Sequence, residues 1–455
     1  MIEPYSIVMD FVLLSMIIVI AAILKARISI LRKLIVPTSM IAGFIGLIFG
    51  PDLIGLIPFN IDMLGELVYH LMAIGFIALS LKKREVKSSP ALLNSGMLIV
   101  STYLIQGIVG FGLFLLLVQF FYPGFFPGIG LLLPLGFGQG PGQAYSIGNQ
   151  WEQLGVVGGG NLGLTIAGIG FIWATVIGII LINILNRNEK FKDDPLIHKE
   201  NEKLVEKSKP KELPLADALE NLTYQIAIIG FIYLVTHLTL YGVEFILTPL
   251  GTFGSTLAQL LIGFHFIIGS LYAMLFRVIL NKLEQKGFRL EHTPNNIMLQ
   301  RISGFSFDYM ITASIAAISV YALQEYLISV LILTTIGGFV TIWFLVWIVP
   351  RLFPNEKLAN TLGYYGMLTG TISTGMALIK AVDPKFQSNA TDNLVMGSAT
   401  AITFGFPLLL LLNVPIVGYL ENQPIMYVYT LIGLVVYFVG LMAMLLYRSR
   451  RISNN

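Results

Sequence analysis

The chain is 455 residues long; 56% of them are hydrophobic, 12% are charged, and the formal net charge is +3. So few charges cannot cover a water-soluble surface of this size, which makes lipid the main solvent and leaves no case for nucleic acid as a partner. Cysteine is absent, excluding disulfides, thiol catalysis and cysteine-ligated metal.

The first apolar run, residues 5–26, has no basic flank before it and no small-residue cleavage pattern after it, and reads as a retained span. Beyond it, Lys and Arg fall in six groups, at 25–33, 82–87, 187–211, 277–301, 351–385 and 448–451, and are missing between them. Positive charge in short loops marks the cytoplasmic side, so each basic-free stretch must leave, turn and return as a pair of spans. The expectation is roughly eleven crossings in the plasma (inner) membrane, with the N-terminus outside and the C-terminus cytoplasmic.

Residues 88–186 are too many for two helices. Their surplus, about 125–160, is rich in Gly and Pro yet apolar, which predicts a re-entrant hairpin entered from outside. Gly138, Gln139, Gly140, Pro141, Gly142, Gln143, Tyr145 and Ser146 would place bare backbone and polar side chains at membrane depth, where a solute path tolerates them; close helix packing through glycine is the other reading. Glu152 reads as wet and structural, and Asn161 opens the next helix. The mixed-charge stretch 187–217 has too few apolar residues to build a core and reads as a cytoplasmic linker between units 1–186 and 218–420.

In the second unit, Asp308 lies about two turns inside a span starting near 302, as a coupling carboxylate for sodium or protons or as an interfacial charge. A second Gly-rich surplus, about 359–386, lies within a basic cluster and predicts a hairpin entered from the cytoplasm. It carries Gly366, Thr369, Gly370, Thr371, Ser373 and Thr374. A half-helix starting near Thr371 would aim free N–H groups and a positive dipole end at an anionic solute, with the hydroxyls of Thr371, Ser373 and Thr374 as further donors. Asp392 and Asn393 open the following span as caps or ion ligands. His70, His237 and His265 occur singly, without metal-ligand spacing, and no paired catalytic side chains suggest an enzyme.

Across the linker, Gly138 and Gly142 align with Gly366 and Gly370, and Asn161 with Asn393. The fold class expected is an all-α polytopic membrane protein of two inverted five-helix repeats, each with a re-entrant hairpin, plus one extra C-terminal helix in 421–455. That architecture suits alternating access better than a channel.

At the hairpins the chain resembles the bacterial sodium:glutamate symporter family. The likeness runs through Gly138, Gly140, Gly142, Ala144, Tyr145, Ser146, Glu152 and Gly155, then Gly363, Gly366, Gly370, Thr374 and Ala377, with Pro37 to Gly43 as an earlier match. It implies sodium-coupled symport of a small anionic solute, glutamate or a relative, with sodium as coupling ion, no other cofactor, and room for a homodimer. Gln139, Gln143, Tyr145 and Ser373 stand where the family commonly has His, Ala, Trp and Pro, so the resemblance speaks more for the architecture than for glutamate. The 2-hydroxycarboxylate carriers, also built on paired glycine-rich hairpins, are the alternative.

Cysteines introduced singly into 187–211 and after Arg448 should both be labelled from the cytoplasmic side only. Labelling of either position by an impermeant reagent on intact cells would refute the orientation.

Overall fold

The computed structural model describes residues 6–29, 31, 36–83, 90–188, 191, 215–286, 294–320, 324, 326–384 and 388–453. Most of the expected linker, 189–190 and 192–214, lies outside them. The first half contains α1 (Ser6–Arg27), α2 (Thr38–Phe49), α3 (Ile61–Leu81), α4 (Pro90–Phe120), α5 (Pro141–Gln153) and α6 (Gly159–Asn186). In the second half come α7 (Leu215–Leu247), α8 (Thr252–Gly263), α9 (His265–Gln285), α10 (Asn296–Ala316), α11 (Leu327–Leu352), α12 (Lys357–Leu368), α13 (Ile372–Val382) and α14 (Ala390–Leu420), with α15 (Ile425–Ser453) last.

This is an all-α polytopic membrane protein. Among the described residues nine helices are long and apolar enough to cross a bilayer: α1, α3, α4, α6, α7, α9, α11, α14 and α15. The other two helices expected to cross differ in kind. α2 has only 12 residues, and α10, with 21, interrupts its apolar face with Gln300, Arg301, Asp308 and several Ser and Thr. Both are sheltered by protein. α2 and α3 each pack against α10, and α9 packs on α3 in turn, so α3 and α10 form a central pair clasped from both sides. Where they cross, the Phe307 ring fills the space beside Gly75.

Helix starts follow the local chemistry. Asn60 caps α3 by accepting from the N–H groups of Asp62 and Met63, and Asn295 caps α10 by accepting from Ile297 and Met298. Neither Asp392 nor Asn393 caps α14: Asn389 takes the cap position and Asn393 lies one turn inside, buried. A second departure is at 252–285, where the expected single return helix is broken at Phe264 into α8 and α9.

Lipid offers helices little hydrophobic reason to associate, so close backbone approach must supply the contact energy. α5 and α6 show such an approach. A Cβ on Gly148 would fall 2.1 Å from the Gly159 carbonyl oxygen, and one on Gly159 2.2 Å from that of Gly148. Gly148→Val should therefore force the two helices apart at a cost of about 1–3 kcal/mol, seen as a lower melting temperature of the purified protein. An unchanged melting temperature would mean that this contact is slack.

Candidate functional site

Two segments of chain double back inside the bundle. In the first, a 3-10 turn, Pro127–Leu131, and a π turn, Pro134–Gln139, lead inward, and α5 leads back. The rings of Phe126 and Trp151 meet edge-on with centroids 5.4 Å apart, so the limbs begin and end at one level. The reversal is at Gly140, with φ 98° and ψ 176°, a conformation open in practice only to glycine. Its N–H donates to the Leu135 carbonyl at 2.8 Å, and Pro141, which has no N–H to leave unpaired, starts α5.

In the second, α12 and α13 form the limbs and residues 369–371 the turn. Thr371 is extended and its N–H donates to Thr374 Oγ1 at 2.9 Å, while that hydroxyl donates to the Gly366 carbonyl at 2.6 Å. Thr369 Oγ1 donates to the Tyr365 carbonyl at 2.7 Å. The hydroxyls of Thr369 and Thr374 thus hold the turn together, and the Thr374 proton expected to face a solute is here directed at backbone. Ser373 is exposed. α13 begins at Ile372, one residue after the expected start, and points its first N–H groups toward the turn.

The two tips meet. A Cβ on Gly140 would lie 3.7 Å from Thr371 Cγ2 and 3.8 Å from the Gly370 carbonyl oxygen. Gly142 sits in the first turn of α5 against the sulfurs of Met72 and Met310, on the central α3–α10 pair. α6 flanks the other side, and its π turn, Trp173–Ile177, presents the Trp173 carbonyl to Tyr365 Oη, which donates to it at 2.8 Å.

Other expected site residues lie apart from the tips. Ser146 Oγ donates to the Gly263 carbonyl at 2.7 Å and Tyr69 Oη to that of Ile262 at 3.0 Å, so these two hydroxyls satisfy carbonyls freed by the α8–α9 break. Ser146 is therefore a partner of the helix break. Asp308 is exposed at the α2–α10 contact, where its Oδ1 accepts from Ser39 Oγ at 2.9 Å. Asn393 sits at the base of the second hairpin, its Nδ2 donating to Asn360 Oδ1 at 3.1 Å. His265 stacks on Tyr69 at 3.5 Å between centroids, and His70 Nδ1 lies 2.6 Å from Tyr233 Oη, so both are hydrogen-bonded or ring-packed helix residues.

Tyr145 and Asn161 line a separate small cavity with Asp62, Asn149 and Glu152. The exposed Glu152 accepts there from the Gly160 N–H at 3.2 Å, as its structural reading requires. Among the described residues no cluster of three or more His, Asp or Glu could hold a metal ion.

Sequence reasoning missed Gln106 of α4, fully buried beside the tips, where Nε2 donates to Thr341 Oγ1 and to the Leu368 carbonyl, both at 2.9 Å. A lone carboxamide in the middle of an apolar run was the available signal. Compared with protein-family models, with curated proteins and with solved structures, the chain matches none.

Ser146→Ala and Tyr69→Phe each strand one carbonyl of the helix break and should cost about 1 kcal/mol apiece. Melting temperatures of the purified variants read this directly, and wild-type values for both would show that the break is satisfied otherwise.

Proposed function

We propose that the protein is a sodium-coupled secondary transporter of a small carboxylate-bearing solute, glutamate or a relative, working by alternating access. The observation that carries this reading is the meeting of the Gly140 and Gly370–Thr371 turns inside a membrane bundle. Irregular backbone at such depth is costly unless it lines a protein or water-filled site, and secondary transporters place their sites where broken helices meet.

The turns offer both polarities that a symporter needs. The N-terminal ends of α5 and α13 carry free N–H groups and suit a carboxylate. The end of the first inward limb, Pro134–Gln139, carries carbonyls without helical donors and suits sodium. Packing also supports inverted repeats, in which α3 and α10 correspond and are clasped by α2 and α9 in exchanged roles. On this reading the two hairpins are re-entrant from opposite faces, and α15, packed on α4 and α14, is an addition outside the repeats.

Orientation with the C-terminus in the cytoplasm has its own support. Lys83 N–H donates to Asn296 Oδ1 at 2.7 Å and Arg448 Nε to Asn94 Oδ1 at 2.6 Å, which ties basic segments to the starts of α10 and α4. The cavity beside Asp62 and Glu152 then opens toward the side poor in basic residues. An organic-anion symporter of the 2-hydroxycarboxylate kind uses the same tip chemistry and differs only in solute.

Uptake into proteoliposomes across a labelled panel of amino and hydroxy acids is the test. Carboxylate uptake should require sodium at fixed pH gradient and membrane potential, and Gly140→Val should abolish it by forcing a β-branched residue into a glycine-only conformation while the protein still inserts. Equal uptake after complete sodium replacement would refute sodium coupling, and full transport by Gly140→Val would remove the first turn from the mechanism.

A further inference from the structure

The amide of Gln106 can face only one way. Thr341 Oγ1 donates its proton to the Gly337 carbonyl at 2.7 Å, so toward Gln106 it acts as an acceptor, as does the Leu368 carbonyl. Both therefore take N–H protons from Nε2, and Oε1 is left on the other side. That oxygen is fully buried and has no hydrogen-bond partner. It lies 3.2 Å from where a Cβ on Gly138 would stand, against the last turn of the first hairpin's inward limb.

The Tyr103 ring crowds the same position at 2.4 Å, and the turn that Oε1 faces adds acceptors of the same kind. Because Gly140 donates back to Leu135 and Pro141 has no N–H, the carbonyls at the end of the Pro134–Gln139 turn lack the helical donors that would normally cover them. A fixed carboxamide oxygen facing a turn that ends in uncovered carbonyls, at the negative end of that turn, brings hard neutral oxygens toward one place. No Lys or Arg occurs between 88 and 186 to answer it. A buried acceptor left unpaired is costly, and a small monovalent cation resolves the cost without a counter-charge.

We infer that Gln106 Oε1 is a direct ligand of the coupling sodium ion, bound at the end of the first hairpin's inward limb. The inference rests on the sodium-coupled reading above and names a residue for it. It also gives the ion a mechanical role. Gln106 holds the last carbonyl of α12 through Nε2 while Oε1 binds the ion at the first hairpin, so one side chain joins the occupied site to both hairpins. Loss of the ion frees that side chain to release them.

The test is sodium-dependent thermal stabilisation of the purified full chain, without solute, with sodium exchanged for choline at constant ionic strength. Wild type should gain stability with a saturable sodium dependence. Gln106→Leu should raise the midpoint by about tenfold or more, the scale on which metal sites respond to altered ligation. Gln106→Glu keeps the shape and the acceptor oxygens should the apolar variant fail to fold, and its added carboxylate should shift the sodium midpoint and make it pH-dependent. Gln150→Leu removes a buried glutamine whose Oε1 is likewise unpartnered but which lines a cavity with Trp151 and Asn413, and it should keep the wild-type midpoint. A wild-type midpoint in both Gln106 variants, or an equal shift in Gln150→Leu, overturns the assignment. Absence of any sodium effect on wild type would instead overturn the sodium-coupled reading on which it rests.

Discussion

In hydrocarbon an unpaired N–H or C=O has no water to turn to, and that requirement shapes the interior of this bundle more than any apolar contact. At several places where the backbone leaves regular helix, a side chain supplies the missing partner. Tyr69 and Ser146 take the carbonyls freed before Phe264, Tyr365 takes the Trp173 carbonyl exposed by the π turn of α6, and Thr374 ties both strands of the second turn. The partners come from distant parts of the chain. A break in one element therefore fixes the neighbour that supplies its hydroxyl.

Small residues do the complementary work. Gly148 against Gly159 and Gly75 beneath Phe307 let elements approach to backbone distance, where dispersion and packing replace the absent hydrophobic drive. The same stripping of side chains leaves the two turns, at Gly140 and Gly370, short enough to meet. Tight packing and an accessible turn are thus two uses of one composition, which is why 45 glycines sit in a chain that is mostly helix.

Around the meeting point the oxygens divide into those already used and those left over. Thr369, Thr374 and Ser146 spend their protons on backbone, whereas the Gln106 amide is oriented by Thr341 and Leu368 so that its oxygen faces the first hairpin unpaired. Hydroxyl count alone would rank the second hairpin as the richer site. Counting protons instead shifts weight toward the first hairpin, because a donor committed to a turn is not available to a ligand.

Much of the architecture was legible in the chain because its signals are local. Apolar run length marks spans, Gly and Pro at membrane depth mark the two doubled-back segments, and Thr371 before an apolar run marks the start of α13 to within one residue. What each polar side chain touches was not legible. Ser146 to Gly263, Asp308 to Ser39 and Gln106 to Leu368 join residues 117, 269 and 262 positions apart, and no pattern in one segment encodes which carbonyl another segment leaves free. The break at Phe264 belongs to the same class, since 252–285 is apolar enough to read as one helix and only the partners waiting at Tyr69 and Ser146 make its interruption affordable. Sequence by itself determined which helices are apolar enough to cross a bilayer and where glycine and proline interrupt them; tertiary structure decided which turns meet and which oxygens remain unpaired, because hydrogen bonds between distant helices exist only once the bundle has assembled.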